Sequence, residues 1–216
     1  MKIKYYEVNK LPVAVIDEIY NRNEVDDIME EIKFLSKRDK FKDARYTSAA
    51  TREIKDDEKL EFAEGTKVSL KKNLGLFLDH SYYDRNLSDI LLHNRKIFLD
   101  KQINEFLINC NPYFRVLSGS DYDVTLLSYY EDGDYYHNHS DSSALTIITW
   151  FFNQPKKFTG GNLVIEDELE IECKFNRSVI FPGLALHKVT KIEMKEEDKS
   201  KQLGRYTMSQ FANIKL

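Results

Sequence analysis

A chain of 216 residues that is 42% apolar is long enough to bury a substantial core, as one large domain or two small ones. Lys and Arg number 32 against 36 Asp and Glu, a formal charge of −4, which lacks the basic excess of a general nucleic-acid binder. No apolar run approaches the roughly 20 residues of a membrane helix, and the start MKIKYYEVNK lacks the apolar stretch of a secretory leader. Two cysteines, Cys110 and Cys173, fit free thiols in a reducing cytoplasm.

Residues 2–8 and 12–16 read as short strands. The run Val13-Ala14-Val15-Ile16 is too uniformly apolar to define one buried face. Val25, Ile28, Met29, Ile32 and Leu35 follow helical spacing, and Asn21 with Glu24 three residues later makes a capping-box pattern. A helix lying on a sheet is therefore predicted over 22–37. The stretch 36–64 is charged and poor in large apolar residues; it reads as a solvated loop, and 36–70 is a candidate cover over a site. Residues 70–86 alternate poorly. From Ser88 to Ile108 the pattern is helical again, with Ile90, Leu91, Ile97, Phe98, Ile103, Phe106 and Leu107 lining one or two buried faces. Asp100 is a candidate cap for a second helix, and Pro112 ends the region.

The helical signal then stops. Strands are predicted over 122–130, 144–152, 162–166, 168–174, 178–182, 184–193 and 205–214, and the segment around His139 makes about eight. Asp132-Gly133, Gly160-Gly161, Pro182-Gly183 and Gly204 supply turns between them. The expectation is an α+β fold in one domain: helical and strand support over 1–120 and a sandwich, barrel or jelly roll over 121–216.

One stretch, Tyr129 to Asp141, reads YYEDGDYYHNHSD. His139 and Asp141 lie two residues apart, so on an extended chain both point to one side and can grip one metal ion. His187, in LALHKVT after Phe181-Pro182-Gly183, is the candidate third ligand. Two His and one carboxylate on one face of a metal, with the other positions open, characterise non-haem Fe(II) oxygenases. His137 is a rival, being two residues from His139. The carboxylate supplies charge that His137 does not, which favours the His139–Asp141 pair and leaves His137 a bystander or a support. Nothing places His80 or His93 near the site.

From about Asp123 to Phe211 the chain resembles the Fe(II)/2-oxoglutarate-dependent dioxygenase superfamily, in its prolyl 4-hydroxylase-like branch. The branch's pattern of Tyr, Gly, Tyr, His and Asp falls on Tyr130, Gly133, Tyr136, His139 and Asp141 with every spacing intact. Phe151-Phe152-Asn153, Gly160-Gly161-Asn162-Leu163, Phe181-Pro182 and Gly204-Arg205 follow in family order. The strand and helix over 12–37 also match the start of that domain; residues 36–110 match loosely. The resemblance implies a double-stranded β-helix (jelly-roll) core with Fe(II) held by His139, Asp141 and His187. It implies 2-oxoglutarate as cosubstrate, turned to succinate and CO2 with O2 while oxygen enters a C–H bond, and it admits ascorbate as an accessory reductant. Arg205 stands where the family holds the far carboxylate of 2-oxoglutarate, a role that suits a bidentate guanidinium.

Thr207 faces the same way as Arg205, and Tyr129 or Tyr130 is expected to add a hydroxyl. Tyr136 is either a packing aromatic or a cosubstrate contact. The family's tyrosine on the third core strand is replaced by Phe151, and Thr149, on the same face, is the candidate substitute. The extra residues Met194 to Gln202 read as a solvated turn. Lys188 and Lys191 lie too close to His187 to replace Arg205. By resemblance the substrate is a prolyl residue in a peptide or protein, with a small molecule or free amino acid as the alternative. A nucleic-acid demethylase would carry a second Arg where Phe211 stands. A noncatalytic jelly roll would have lost a ligand, and a zinc hydrolase would have no use for the Gly-Arg strand.

Overall fold

Strand β1 (Lys2–Val8) turns through Asn9 and Lys10, both at positive φ, into antiparallel β2 (Leu11–Asp17). The uniformly apolar run of β2 is explained by two covered faces. Ala14 and Ile16 pack toward the helices, and Val13 and Val15 toward the interior between the sheets. Helix α1 (Arg22–Lys37) starts at the capping box: the Asn21 side chain accepts from Glu24 N–H, and the Glu24 carboxylate accepts from Asn21 N–H at 2.7 Å. Its buried stripe, Ile28, Ile32 and Leu35, lies in the core shared with the sheet.

The computed structural model describes residues 1–38, 40–47, 51–53 and 67–214. Much of the loop and cover expected over 36–70 lies outside the described residues. Those described there form β3 (Lys42–Asp43), β4 (Thr51–Glu53) and β5 (Lys67–Ser69), with β4 and β5 paired. Two strands, β6 (Lys71–Lys72) and β7 (Leu74–Phe77), follow where alternation gave no signal. The helical stretch is broken more often than expected, into α2 (Asp89–His93), α3 (Lys96–Leu99) and α4 (Lys101–Cys110), with α5 (Val116–Gly119) after it. Asp100 caps α4 as expected, its carboxylate accepting from the N–H groups of Gln102 and Ile103.

The C-terminal half carries β8 (Tyr122–Tyr130), β9 (Tyr135–His139), β10 (Leu145–Phe151), β11 (Phe158–Thr159), β12 (Leu163–Ile165), β13 (Leu169–Ile171), β14 (Arg177–Pro182), β15 (His187–Val189), β16 (Glu193–Met194) and β17 (Arg205–Asn213). They form two main sheets. The larger runs β1-β2-β14-β10-β17-β8-β7-β3 and the smaller β13-β12-β15-β9-β6, with antiparallel neighbours throughout.

The larger sheet is covered twice. Leu145, Ile147 and Phe151 of β10 face the helices with Leu127 and Tyr206. Ile148, Trp150 and Phe152, with Phe181 of β14, pack with Leu163 and Ile165 of the smaller sheet. Burial of both faces explains why β10 has no polar face at all. The segment expected as one strand over 184–193 is shorter: β15 holds three residues, and Met194 pairs with Phe158. The segment 194–202 is mostly exposed, as expected, but is tied to the rest of the chain. Asp198 is buried, Lys199 bridges Asp132 and Glu196, and Ser200 N–H donates to Glu131. Among the described residues no helix is long and apolar enough to cross a membrane.

Candidate active site

Strand register closes the long sequence gap between the two histidines. His139 on β9 and His187 on β15 are direct cross-strand partners, with ring centroids 4.1 Å apart. Asp141 follows β9 and is pinned by its own N–H, which donates to the Gly183 carbonyl at 2.7 Å. The Ser140 hydroxyl donates to the Leu184 carbonyl in the same turn. The turn that leads into β15 therefore also fixes the residues that leave β9. His139 Nε2 lies 3.9 Å from Asp141 Oδ1, and His187 Nε2 lies 3.5 Å from Asp141 Oδ2. One candidate ligand atom from each residue falls within 4.8 Å of the others, so the three could hold a metal ion.

The supporting bonds suit that use. His139 Nδ1 meets the His137 carbonyl and His187 Nδ1 meets the Ala185 carbonyl, each at 2.9 Å. A carbonyl only accepts, so Nδ1 carries the proton in both rings and Nε2 keeps its lone pair. Thr146 on β10 donates its hydroxyl to Asp141 Oδ2 at 2.6 Å and contacts Ser143. Burial, then the neighbouring His187, pushes the His139 imidazole down to about 3, which favours its neutral form. The Tyr136 ring stacks on His139 at 3.4 Å and 13°.

Behind the triad a cavity runs between the sheets toward Arg205. Arg205, 1% exposed, opens β17, and its Nη1 donates to the Gly161 carbonyl. Its guanidinium lies 4.2 Å over the Tyr130 ring. Arg205 Nε and Nη2 and the Thr207 hydroxyl are buried with no hydrogen-bond partner among the described residues. Nor does any described carboxylate pair with Arg205. A buried cation with idle donors matches the demand of an anionic ligand.

Several expectations are redistributed. Tyr130 lines the cavity, and burial pushes its hydroxyl up to about 12. Tyr129 lies on the opposite face of β8, in the helix-side core, where its hydroxyl contacts Glu131 and accepts from Gly204 N–H. Thr149 is corrected in the same way. It shares the face of Phe151, as expected, but that face points away from the cavity, and the Thr149 hydroxyl is bonded to Ser178. The inward residues of β10 are Thr146, Ile148 and Trp150. The His137 ring packs against Tyr135, and the His137 carbonyl accepts from His139 Nδ1. His93 contacts Asp27 and His80 sits beside Phe77. Lys188 pairs with Asp167.

Sequence reasoning missed Thr146, Trp150 and Lys71 among the cavity residues. Thr146 and Trp150 needed the correct phase of β10. Lys71 is 4% exposed and reaches the cavity through the pairing of β6 with Tyr136 on β9; burial pushes its ammonium down to about 8 against the pull of Asp141.

Residues 124–213 match the family model of the 2OG-Fe(II) oxygenase superfamily. A PKHD-type hydroxylase of Delftia acidovorans is 30% identical over 29% of this chain and 34% of its own length, so the match spans about a third of that relative. Among solved structures, a Pseudomonas putida prolyl-4-hydroxylase superposes with a TM-score of 0.57 at 12% identity, covering 94% of this chain and 93% of that one. A prolyl hydroxylase from Trichoplax adhaerens, solved with a peptide fragment of the hypoxia inducible factor oxygen degradation domain, gives 0.58 at 14% identity, covering 93% and 83%. At such identities the structural likeness is one of fold. Over residues 124–213 the chain is thus similar to the 2OG-Fe(II) oxygenase superfamily, and its fold is like that of the prolyl hydroxylases.

Proposed function

We propose that this chain is an Fe(II)- and 2-oxoglutarate-dependent dioxygenase that hydroxylates a C–H bond, with a prolyl residue of a peptide or protein as its substrate. One observation carries the reading. A two-histidine, one-carboxylate triad shares a cavity with a buried arginine whose Nε and Nη2 have no hydrogen-bond partner among the described residues. The prolyl substrate is supported by likeness to relatives described as prolyl hydroxylases.

The residues present fit both groups. His139, Asp141 and His187 would hold Fe(II), the carboxylate offsetting part of its charge and the open positions admitting further ligands. Arg205 and Thr207 would hold the far carboxylate of 2-oxoglutarate. When bound, iron and 2-oxoglutarate supply the oxidising chemistry, with one oxygen atom going to succinate and the other to the substrate. The chain positions these groups. The His137 and Ala185 carbonyls keep Nε2 of both imidazoles directed at the metal position, and Thr146 limits rotation of the Asp141 carboxylate. Tyr130 under the Arg205 guanidinium restrains its swing and, with Ile148 and Leu163, keeps water from the cosubstrate end. Residues 1–216 are proposed to act as one catalytic domain, since the helix-side core draws on both halves. The free thiols Cys110 and Cys173 fit a proposed cytoplasmic location.

The test uses anaerobically purified protein with Fe(II), 2-oxoglutarate and ascorbate, exposed to air while succinate is followed. Proline-containing peptides are then screened for the added mass of one oxygen atom. Succinate formation that requires Fe(II), with peptide oxidation, is the expected result. Absence of succinate sinks the oxygenase reading. Succinate with inert peptides but an oxidised small molecule sinks the prolyl assignment alone.

A further inference from the structure

We infer that the indole N–H of Trp150 is a cosubstrate-positioning donor: it binds the far carboxylate of 2-oxoglutarate together with Arg205 and Thr207. This rests on the oxygenase reading above and adds a residue to its site. Trp150 is fully buried on β10, and its Nε1 has no hydrogen-bond partner among the described residues. Strand register sets it beside Thr207, its direct partner on β17, with Arg205 two positions further along the same strand. All three side chains line one cavity.

The count of idle donors carries the argument. Trp150 Nε1, Arg205 Nε, Arg205 Nη2 and Thr207 Oγ1 are all buried and without partners among the described residues. Native proteins leave few such groups, and each idle donor is costly. Four gathered in one cavity imply a ligand that presents several acceptors and no competing donor. An ionised carboxylate offers about four lone-pair sites on two oxygens and only accepts. The indole N–H only donates, so it discriminates for the ionised carboxylate in a way a tyrosine hydroxyl, able to accept as well, does not. Trp150 is the aromatic of β10 that lines the cavity, and it brings a donor of its own.

Trp150 is the only tryptophan in the chain, so the test needs no assignment. Protein labelled with 15N and loaded with Zn(II) gives one indole N–H resonance. It is titrated with 2-oxoglutarate and, separately, with 2-oxopentanoate, which has the same carbon chain without the far carboxylate. The expected result is a downfield shift of the indole proton with 2-oxoglutarate and none with saturating 2-oxopentanoate. In parallel, calorimetry compares wild type with Trp150→Phe. That variant is expected to lose roughly tenfold or more in 2-oxoglutarate affinity, the scale of a hydrogen bond to a charged group, while 2-oxopentanoate binding stays unchanged. Trp150→Tyr, which restores a donor, should recover part of the loss.

An unmoved indole resonance at saturation overturns the proposal, as does an equal loss for both oxo acids in Trp150→Phe, the mark of a merely structural role. If the wild type binds 2-oxopentanoate and 2-oxoglutarate equally well, the anchor itself is wrong and the fault lies with the oxygenase reading. If it binds neither, both fall together.

Discussion

Thr146 and Asp141 stand on opposite sides of the turn between β9 and β10, and the threonine hydroxyl donates to the carboxylate Oδ2 at 2.6 Å. That bond occupies one lone pair of the proposed ligand and limits rotation of its carboxylate. Groups that orient metal ligands in this way typically influence affinity about 10- to 100-fold. Thr146→Val keeps the shape and removes the hydroxyl. The expected outcome is Fe(II) or Mn(II) affinity reduced by about that factor, with an unchanged circular dichroism spectrum, and recovery in Thr146→Ser. Equal metal affinity in wild type and Thr146→Val would show that the carboxylate is held by other means.

The proposed ligands and Arg205 were legible because they are chemically distinctive side chains at fixed offsets from glycine turns. Their mutual placement needed register: nothing in the sequence states that His139 opposes His187. The facing of β8 and β10 was harder. All seven residues of β10 and the last six of β8 are buried, so alternation has no polar face to phase it. That is why Tyr129 stands level with Tyr130 in the sequence, and why the expected substitute falls on Thr149. Lys71 was invisible for another reason, since it reaches the site by tertiary pairing of a two-residue strand.

Asp17 ends β2 opposite Arg177 on β14, and the guanidinium holds both carboxylate oxygens, at 2.5 and 3.1 Å. The Arg177 hydrogen bond, the largest cause, holds the Asp17 carboxyl below its usual value of 3.8. A depressed folded-state value means the stabilisation is present above about pH 4, the unfolded value, and is lost as pH falls through the lower folded value. Asp17→Asn should therefore be less stable than wild type near neutrality, by roughly 1–3 kcal/mol for a charged hydrogen bond. The two should converge in acid. Urea unfolding of both proteins across pH 2.5–7 (an estimated useful span) checks it, and a gap that widens in acid would contradict the assignment.

Glu31 joins α1 to α2. Its buried carboxylate accepts from the Tyr82 hydroxyl at 2.6 Å, the Ser88 hydroxyl at 2.8 Å and the Ile90 N–H at 2.8 Å. Glu31→Ala strands these donors beneath the helices. The expected cost is roughly 3 kcal/mol or more, because unsatisfied buried donors lose their hydration without compensation. Thermal unfolding measures it. Metal affinity should hold in the folded variant, since no atom of Glu31 lines the active-site cavity.

Gly204 precedes Arg205 for a steric reason. A Cβ there would sit 2.1 Å from the Tyr130 carbonyl oxygen and 3.1 Å from the Tyr129 hydroxyl. The nearer atom is backbone and belongs to the residue that pairs with Arg205 in register, so it can yield only if β17 moves off β8. Gly204→Ala should thus cost roughly 1–3 kcal/mol in stability, as an overpacked site does. Its effect on ligands should be selective. Arg205 and Thr207 are carried by the strand that shifts, whereas His139, Asp141 and His187 are held by β9, β15 and the turns beside them. Calorimetry is expected to give near-wild-type Mn(II) binding with 2-oxoglutarate affinity reduced several-fold, about the factor of ten that 1.4 kcal/mol of lost contact represents. Loss of both ligands in step would mean that β17 supports the metal site as well as the cosubstrate end, and the division of labour between the two sheets would have to be redrawn.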